Sequence, residues 1–220
     1  MTEACVRSVL EHTQFPYEII LIDDASDPET AARMKAMKNE RIRHIRNEER
    51  RSFSASNNQA ARLARGKYLC LLNNDTYVTP GWLSAMIKTA EKNERIGALG
   101  NKHLFPDTGL LHHCGIAIDS DGHPYHLHPH TDPEALAVNY QRDPQIVTFA
   151  CVLIPAETYR ELGGLDEAFH NGYEDCDFCL RARKAGYRVV YTPASTIYHH
   201  GQATPGRKDT DSDNWRLFQS

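Results

Sequence analysis

Acidic and amide side chains stand directly after two apolar segments of this chain. Asp23 and Asp24 follow the run IILI, and the sequence Asn-Asn-Asp at 73–75 follows the run YLCLL. At the end of a strand such side chains either cap the next helix or bind a ligand, and the sequence leaves both interpretations open. Oxygen ligands in this position suit a hard divalent cation, Mg²⁺ or Mn²⁺, which would in turn bridge phosphate groups.

A third acidic cluster opens the segment YEDCDFCLRARKAG. Asp177 in this cluster can pair with Arg181 four residues further along a helix, whereas Glu174 and Asp175 have no obvious partner. A carboxylate at a helix N-terminus is stabilised as the anion by the helix dipole. Stabilisation by the dipole is one explanation for Glu174 and Asp175. The alternative is that one of them serves as a general base, since the same position leaves the carboxylate available.

Histidines occur at two places where a metal could bind. The segment IYHHG follows the last apolar run, and an imidazole there could complete a metal site begun by residues 73–75. A second group lies in the centre of the chain: His112, His113, His123, His126, His128 and His130. Because the spacing of this second group matches none of the usual structural zinc patterns, we predict that it belongs to a solvated polar loop.

The elements that would position these groups alternate between helix and strand. Apolar, largely β-branched runs without alternation, at 19–22 and 67–72, are typical of strands buried on both faces of a parallel sheet. Helical patterns are predicted at 2–12, 28–38, 54–65 and 80–93. This alternation predicts an α/β domain that is doubly wound in its first half.

The second half of the chain follows a different pattern. Residues 103–145 form a long stretch rich in His, Asp, Pro and Gly, which predicts a loop or a small antiparallel excursion. A strand is predicted at 145–155, followed by the helix YEDCDFCLRARKAG and the strand YRVVYTP. We therefore expect one domain with halves at 1–102 and 103–204, and a mobile tail at 205–220.

Composition excludes several classes of function. The chain has 220 residues, 25 Lys and Arg against 29 Asp and Glu, a net charge of −4 and 40% hydrophobic residues. A chain of this length buries roughly 70% of its unfolded surface, so it needs no stapling by disulfides. The mixed charges offer no basic surface for nucleic acid. No apolar run approaches the roughly 20 residues that span a bilayer, and the charged opening is unlike a secretory signal, so we expect a cytoplasmic protein.

The cysteines are predicted to be reduced thiols in the core, because they are scattered and several lie in apolar runs. They are Cys5, Cys70, Cys114, Cys151, Cys176 and Cys179. The last two form a CxxC, but no second CxxC completes a zinc-binding set, so we interpret it as two cysteines one helical turn apart.

Five segments in order resemble the family 2 glycosyltransferases of the GT-A fold. They are IILIDDAS, NNQAARLARGKYLCLLNNDT followed by PGW, GGLDEAF, YEDCDFCLRARKAGYRVVYTP and YHHG, and together they span about residues 2–204. The resemblance implies a Rossmann-like, mostly parallel sheet with a smaller mixed region on the acceptor side. It also implies that an acceptor hydroxyl attacks a nucleotide-diphosphate sugar in line and inverts the anomeric carbon, with a divalent metal, Mn²⁺ or Mg²⁺, as cofactor.

The same resemblance implies roles for residues of the first half. Asp23, with Asp24 beside it, would hold the nucleotide base and ribose. Asn73 and Asp75 stand where the family has its D-x-D motif, so Asp75 would be a metal ligand and Asn73 a ribose or phosphate contact. The first Asp of that motif is Asn here, which leaves one fewer negative charge beside the diphosphate.

In the second half, the resemblance makes Asp175 the catalytic base and Glu174 a group that holds the acceptor. His199 matches the family's metal-proximal histidine, and His200 is the weaker candidate of that pair. The partners implied are a nucleotide-sugar donor and a glycan, lipid-linked or protein acceptor. No residue pattern specifies the donor sugar, the nucleotide base or the acceptor.

Two departures from the family pattern affect the expected function. The chain opens with a helix, so the family's apolar first strand is lacking and the IILIDD strand should have an exposed edge that could support self-association. Where relatives have Thr-Gly-Ala near the donor sugar, this chain has Thr148-Phe149-Ala150. The alternative function is therefore a truncated, catalytically impaired binding module. A nucleotidyltransferase is disfavoured because no glycine-rich phosphate loop follows the first strand.

Overall fold

The structure is a computed structural model that describes residues 1–201 and 211–219. Its elements in chain order are α1 (Thr2–His12), β1 (Ile19–Asp24), α2 (Pro28–Ala36), β2 (Ile42–Asn47), α3 (Phe53–Leu63), β3 (Tyr68–Leu72), β4 (Thr76–Val78), α4 (Trp82–Lys92), β5 (Ile96–Leu104), β6 (Leu111–His113), β7 (Ile116–Ile118), β8 (Pro124–His126), a short 3₁₀ turn (Leu136–Val138), β9 (Cys151–Pro155), α5 (Ala156–Glu161), α6 (Glu174–Lys184), β10 (Arg188–His199) and α7 (Asp211–Gln219).

The main sheet is mixed. Its order is β3-β9-β5-β10-β4, and β6 pairs with β5. The β5–β10 pairing is parallel, whereas β9 runs antiparallel to both β3 and β5. The predicted α/β class is confirmed, but the sheet is less parallel than expected. The reason is that the chain reaches β9 through the central polar segment, without the helical crossover that a parallel neighbour requires.

Helices cover both faces of the main sheet. Alternate residues of β9 belong to different apolar clusters: Val152 packs in the cluster that includes Phe178 of α6, and Leu153 packs in the cluster that includes Trp82 of α4. Because successive side chains of a strand point to opposite faces, α6 and α4 lie on opposite sides of the sheet. The predicted doubly wound arrangement is present in this part of the chain.

Strands β1 and β2 form a separate parallel pair, in register from Ile19 opposite Ile42 to Asp24 opposite Asn47. Within the described ranges, β1 pairs only with β2, and β3 pairs only with β9. Residues 19–22 are half-buried, although their apolar sequence predicts burial on both faces. The expected exposed edge of the IILIDD strand is therefore present in the structure.

The central segment folds back onto the main sheet. His113 in β6 lies opposite His103 in β5, and both side chains are fully buried. The predicted solvated loop is correct for His123 and His128, which are exposed, but wrong for His113. Pairing with β5, a contact between distant parts of the sequence, directs this imidazole into the interior.

Part of the predicted mobile tail is helical and docked. Residues 202–210 and Ser220 lie outside the described residues, but 211–219 form α7. Asn214 of α7 is 2% exposed, donates to the His170 carbonyl and accepts from the His170 N–H. No helix among the residues described is long and apolar enough to cross a membrane.

Candidate active site

Asp75 and His199 meet at one end of the main sheet. Asp75 lies in the turn between β3 and β4, and the antiparallel pairing of Thr76 with His199 brings the end of β10 beside that turn. Asp75 Oδ1 is 3.4 Å from His199 Nε2, and the two side chains are 9% and 8% exposed. His200 is exposed and packs its ring edge-on against Tyr77, so His199 is the histidine of the pair that lies beside Asp75, and its role as a metal ligand stays a prediction.

The carboxylate of Asp75 is charged and incompletely paired. Burial raises its pKa, but the adjacent His199 imidazole outweighs burial and lowers the pKa below its usual range. No residue in the described part of the chain forms a hydrogen bond to Asp75 Oδ1. A buried carboxylate oxygen without a partner is costly unless a cation reaches it, so this oxygen and the neighbouring imidazole fit two ligands of a divalent metal.

The protein supplies only part of such a metal site. Across residues 1–201 and 211–219, no three His, Cys, Asp or Glu side chains are arranged to hold a metal by themselves. A cation held by Asp75 and His199 would therefore need further oxygen ligands from a bound phosphate or from water. That requirement matches a hard cation that binds together with a diphosphate.

Two imidazole rings pack against His199, one fully buried and one half-buried. The His112 ring stacks on it at 4.8 Å, and the His103 ring meets it edge to face at 5.7 Å. Burial lowers the pKa of His103 well below its usual value and lowers that of His112 to about 4. These rings are therefore neutral at pH 7 and do not repel a cation at Asp75.

His113 has a defined tautomer. Its Nε2 accepts from the Thr148 N–H at 3.4 Å, so its Nδ1 carries the proton and donates to His126 Nδ1 at 3.2 Å. Burial also lowers the pKa of His113 well below its usual value, which keeps the ring neutral. The sequence analysis missed this cluster, since its members come from β5, β6, β8 and β10.

Asp23 is used to hold the ends of β1 and β2 together. Its side chain is fully buried, accepts from the Ser26 N–H at 3.0 Å and forms an ion pair with Arg46. Burial raises the pKa of Asp23, but the hydrogen bonds from Ser26 and Arg46 lower it by more than burial raises it, so the pKa lies below its usual range. Arg46 also donates to the Ser26 carbonyl at 2.9 Å.

Asp24 joins the same region to the start of α3. Its Oδ1 accepts from Asn47 Nδ2 at 2.7 Å and from Ser56 Oγ at 3.2 Å, and its Oδ2 accepts from the Arg51 N–H at 2.9 Å. The capping interpretation left open by the sequence is wrong for both aspartates, because Asp27 caps α2 and Ser52 caps α3, but both carboxylates are occupied by other structural contacts. Their predicted contact with a nucleotide stays a prediction.

A turn before α6 presents the Glu174-Asp175 pair. Asn171 and Tyr173 adopt φ angles of 56° and 69°, a left-handed conformation that non-glycine residues seldom adopt. Glu174 is 8% exposed, and its Oε2 accepts from the Gly172 N–H at 2.6 Å. Asp175 is half-buried, and its Oδ1 accepts from the Cys176 N–H at 2.9 Å. One oxygen of Glu174 therefore closes this turn, and its predicted role of holding the acceptor stays a prediction.

Contacts from two other elements fix the turn. The Phe53 N–H at the start of α3 donates to Asn171 Oδ1 at 3.2 Å, and Asn214 of α7 forms hydrogen bonds with both the N–H and the carbonyl of His170.

The predicted pairing of Asp177 with Arg181 is confirmed at 2.6 Å. Sequence reasoning missed the contact from α7, although an amphipathic WRLF in a polar tail was a usable signal.

Three aromatic side chains of this half of the chain and of α4 differ in exposure. Trp82 is 3% exposed and donates from Nε1 to Thr13 Oγ1, so it belongs to the core. Phe149 is 2% exposed and packs edge-on against Phe178, so it also belongs to the core. Tyr173 is half-buried and lies near Trp215 of α7, with 6.1 Å between ring centroids.

Comparisons with known sequences identify a family and several relatives. The profile described as glycosyl transferase family 2 matches residues 1–140. The uncharacterised protein y4gI of Sinorhizobium fredii is 33% identical over 224 residues, covering 97% of this chain and 24% of the relative. The O-antigen biosynthesis protein RfbC of Myxococcus xanthus is 33% identical over 230 residues, covering 97% of this chain and 17% of the relative. The chain thus spans a quarter or less of these relatives.

Two solved structures share the fold. GalNAc-T7 with UDP, GalNAc and Mn²⁺ superimposes with a TM-score of 0.70 at 20% identity, over 88% of this chain and 40% of that chain. The mannosyltransferase PcManGT of Pyrobaculum calidifontis, with GDP-Man and Mn²⁺, superimposes with a TM-score of 0.65 at 16% identity, over 99% of this chain and 56% of that chain. At such identities the similarity shows the GT-A fold.

Proposed function

This chain belongs to glycosyl transferase family 2, and from that premise we propose that it is a metal-dependent, inverting enzyme that transfers a sugar from a nucleotide-diphosphate donor to an acceptor hydroxyl. One observation carries the proposal. Asp75 Oδ1 is buried, lies 3.4 Å from His199 Nε2 and has no hydrogen-bond partner among the described residues. A divalent cation with a diphosphate is the ligand that such a pair suits.

Asp75 and His199 would hold the cation, Mn²⁺ or Mg²⁺. When bound, that ion neutralises charge that develops on the departing diphosphate. The fold neighbours support this assignment, since both were solved with Mn²⁺ and a nucleotide or nucleotide sugar. The low pKa of Asp75 keeps its carboxylate ionised for the ion at neutral pH.

Donor binding is assigned to the ends of β1 and β3. Asp23 and Asp24 would contact the nucleotide base and ribose, and Asn73 would contact the ribose or a phosphate. Two hydrogen bonds hold the backbone of Asn73 in place: its N–H donates to the Ala150 carbonyl at 2.9 Å, and its carbonyl accepts from Thr76 Oγ1 at 2.7 Å. The side chain of Asn73 is half-buried and remains accessible to a ligand.

Asp175 is the group that would remove the proton from the acceptor hydroxyl. It is half-buried at the N-terminus of α6, where the helix dipole stabilises the carboxylate. Glu174 would support this base by holding the Gly172 N–H of the preceding turn. The acceptor itself would be a glycan, a lipid-linked sugar or a protein.

A second candidate function rests on the sheet. Within the described residues β1 pairs with β2 alone, so no neighbouring strand lines the other side of the end of β1 that is proposed to bind the base. A chain with this defect could bind an acceptor or a nucleotide weakly without turnover. The alternative is therefore a catalytically impaired binding module.

A thermal-shift panel tests the proposal. UDP, GDP, TDP and CMP are added to the chain with and without Mn²⁺, and the change in melting temperature is recorded. A ligand that binds only the folded state at 100 times its Kd stabilises by about 2.7 kcal/mol. We expect a Mn²⁺-dependent shift with one diphosphate. Absence of a shift with every nucleotide would contradict the donor assignment, and a shift without donor hydrolysis or transfer would favour the binding module.

A further inference from the structure

In the described part of the chain, three imidazole nitrogens beside the proposed metal lack hydrogen-bond partners, Nδ1 of His103, of His112 and of His199, and those of His103 and His199 concern the same contact. His199 is 6% exposed and His103 is fully buried, so water has little access to either ring. Among the described residues, nothing forms a hydrogen bond to Nδ1 of His103 or to Nδ1 of His199. Two unsatisfied imidazole nitrogens in one buried cluster are costly, so their presence needs an explanation.

The other nitrogen of His103 is already committed. His103 Nε2 lies 2.9 Å from Asn101 Oδ1, and Asn101 Nδ2 donates to Ser195 Oγ at 2.9 Å. Because the amide nitrogen of Asn101 faces Ser195, its oxygen faces His103 and must accept a proton from Nε2. The ring of His103 is neutral, and its Nδ1 is therefore a bare acceptor.

His103 Nδ1 needs a hydrogen-bond donor, whereas His199 Nδ1 needs an acceptor when a cation is bound at Nε2. A histidine that gives its Nε2 lone pair to a cation carries its proton on Nδ1, and that proton needs an acceptor. The stacked ring of His112 cannot serve, since it lies at 20° to His199 and an N–H points along its own ring plane. The edge-to-face ring of His103, at 89°, has the orientation that allows an in-plane contact.

A second pair in the same cluster shows that this arrangement forms a hydrogen bond. His113 and His126 meet at 86° with ring centroids 5.3 Å apart, and their Nδ1 atoms are 3.2 Å from each other. His103 and His199 meet at 89° with centroids only slightly further apart, at 5.7 Å. Nearly perpendicular histidine rings at this separation can therefore share a hydrogen bond between their Nδ1 atoms.

We propose that His103 is a positioning residue for His199: its Nδ1 accepts the His199 Nδ1–H when a cation is bound, which holds Nε2 of His199 toward the cation and Asp75. Asn101 and Ser195 fix the tautomer of His103 that makes this possible. In the structure this contact is unmade, since neither Nδ1 of His103 nor Nδ1 of His199 has a hydrogen-bond partner among the described residues. The inference rests on the proposed metal site, but it assigns a role to residues outside that site.

The test compares three variants of the full chain. His103→Leu removes the acceptor, and His103→Asn returns an amide oxygen near the position of Nδ1. His113→Asn is the matched control, since His113 is equally buried but uses its nitrogens on His126 and Thr148. Mn²⁺ affinity is measured by electron paramagnetic resonance in the presence of UDP, and melting temperature is recorded for each protein.

We expect His103→Leu to weaken Mn²⁺ binding by about 10–100-fold, the range for loss of a partner behind a metal-bound histidine. His103→Asn should recover most of that loss, and His113→Asn should leave the affinity unchanged. A folded His103→Leu protein that binds Mn²⁺ as tightly as the parent would overturn the inference. So would a folded His103→Asn protein that is as weak as His103→Leu.

Nitrogen-15 NMR of the parent with Mg²⁺ and UDP decides the matter even if His103→Leu does not fold. The inference requires a proton on His199 Nδ1 that shows nitrogen–nitrogen coupling through a hydrogen bond to His103 Nδ1. A proton on Nε2, or the absence of coupling to His103 Nδ1, contradicts it. If the parent protein binds neither Mn²⁺ nor Mg²⁺, the proposed metal site itself is contradicted. If the parent binds the metal and His103 has no effect on that binding, the role of His103 is contradicted and the proposed metal site stands.

Discussion

Asn171 Oδ1 accepts a hydrogen bond from the Phe53 N–H at 3.2 Å, and this contact joins the two halves of the candidate site. Phe53 begins α3, and two residues earlier the Arg51 N–H donates to Asp24 at 2.9 Å. Asn171 belongs to the turn that precedes Asp175. The start of α3 therefore holds both the proposed donor-binding end of β1 and the turn that presents the proposed base.

Replacing Asn171 should impair turnover more than donor binding. Asn171→Gly keeps the left-handed backbone, with its φ of 56°, but loses the contact with Phe53. A hydrogen bond of this kind contributes about 0.5–1.5 kcal/mol, so we expect kcat to fall roughly 2–10-fold with little change in the KM for donor. Asn171→Ala adds backbone strain and should lower the melting temperature further. Steady-state kinetics on both variants check this, and an unchanged kcat in both would count against the link.

Asp75 should control the metal dependence of nucleotide binding. Asp75→Asn keeps the shape and removes the charge, so Mn²⁺ should no longer strengthen UDP binding, because two phosphates then lack a firmly held cation. Asn74→Ala is the matched control, since Asn74 is exposed and contacts only Thr2 among the described residues. Calorimetry with Mn²⁺ or with EDTA measures both. Equal UDP affinity in the two buffers for the parent would exclude the metal from donor binding.

Acid should destabilise the histidine cluster. The folded-state pKa of His113 is well below its usual value because of burial, with further lowering by His126, His112 and His199. Below pH of about 6.5 the unfolded chain binds a proton at this position that the folded chain does not. Stability should therefore fall as pH decreases from that value, by about 1.4 kcal/mol per pH unit for this group.

Urea unfolding between pH 7 and pH 5 measures that slope. His103, whose pKa is lowered in the same way, adds to the slope in the same direction. The variant His113→Asn removes one titrating group and should flatten the dependence. Identical slopes for parent and variant would show that His113 is not a buried neutral imidazole.

The separated β1–β2 pair should be the weak part of the molecule. Because one edge of β1 lacks a strand in the described structure, its amides should exchange faster than those of β5, which is buried along its whole length. The same edge should promote self-association at high concentration. Hydrogen-exchange mass spectrometry and light scattering test this. A strict monomer with equal protection of β1 and β5 and a melting temperature above about 65 °C would contradict it.

Local sequence patterns predicted most elements, because their signals lie within single segments. The unbroken apolar runs at 19–22 and 68–72 are strands, and the pairing of Asp177 with Arg181 follows from helical spacing alone. The resemblance to a known family selected Asp75 and His199, which the structure brings together. Their proximity depends on the β4–β10 pairing, which no local pattern specifies.

Features that depend on distant contacts were not predicted. His113 is buried because β6 pairs with β5, and the polar composition around it suggested the opposite. The hydrogen bond from the Gly172 N–H to Glu174 Oε2 depends on the left-handed turn before α6, which the acidic sequence alone does not specify. The docking of α7 depends on Asn214 meeting the His170 backbone, a contact between segments 44 residues apart.

The role of Asp175 gives the most direct test of the account. Asp175→Asn keeps the shape of the side chain and removes the base, whereas Asp177→Asn changes a neighbouring carboxylate that pairs with Arg181. Glycosyl transfer, or slow donor hydrolysis if no acceptor is known, is measured beside nucleotide affinity for each protein. Asp175→Asn should lower turnover by roughly 10²–10⁴-fold with nucleotide affinity nearly unchanged. Asp177→Asn should keep turnover and lose at most about 1 kcal/mol of stability. Full turnover by Asp175→Asn, or a loss explained by weaker nucleotide binding, would contradict the assignment of the base.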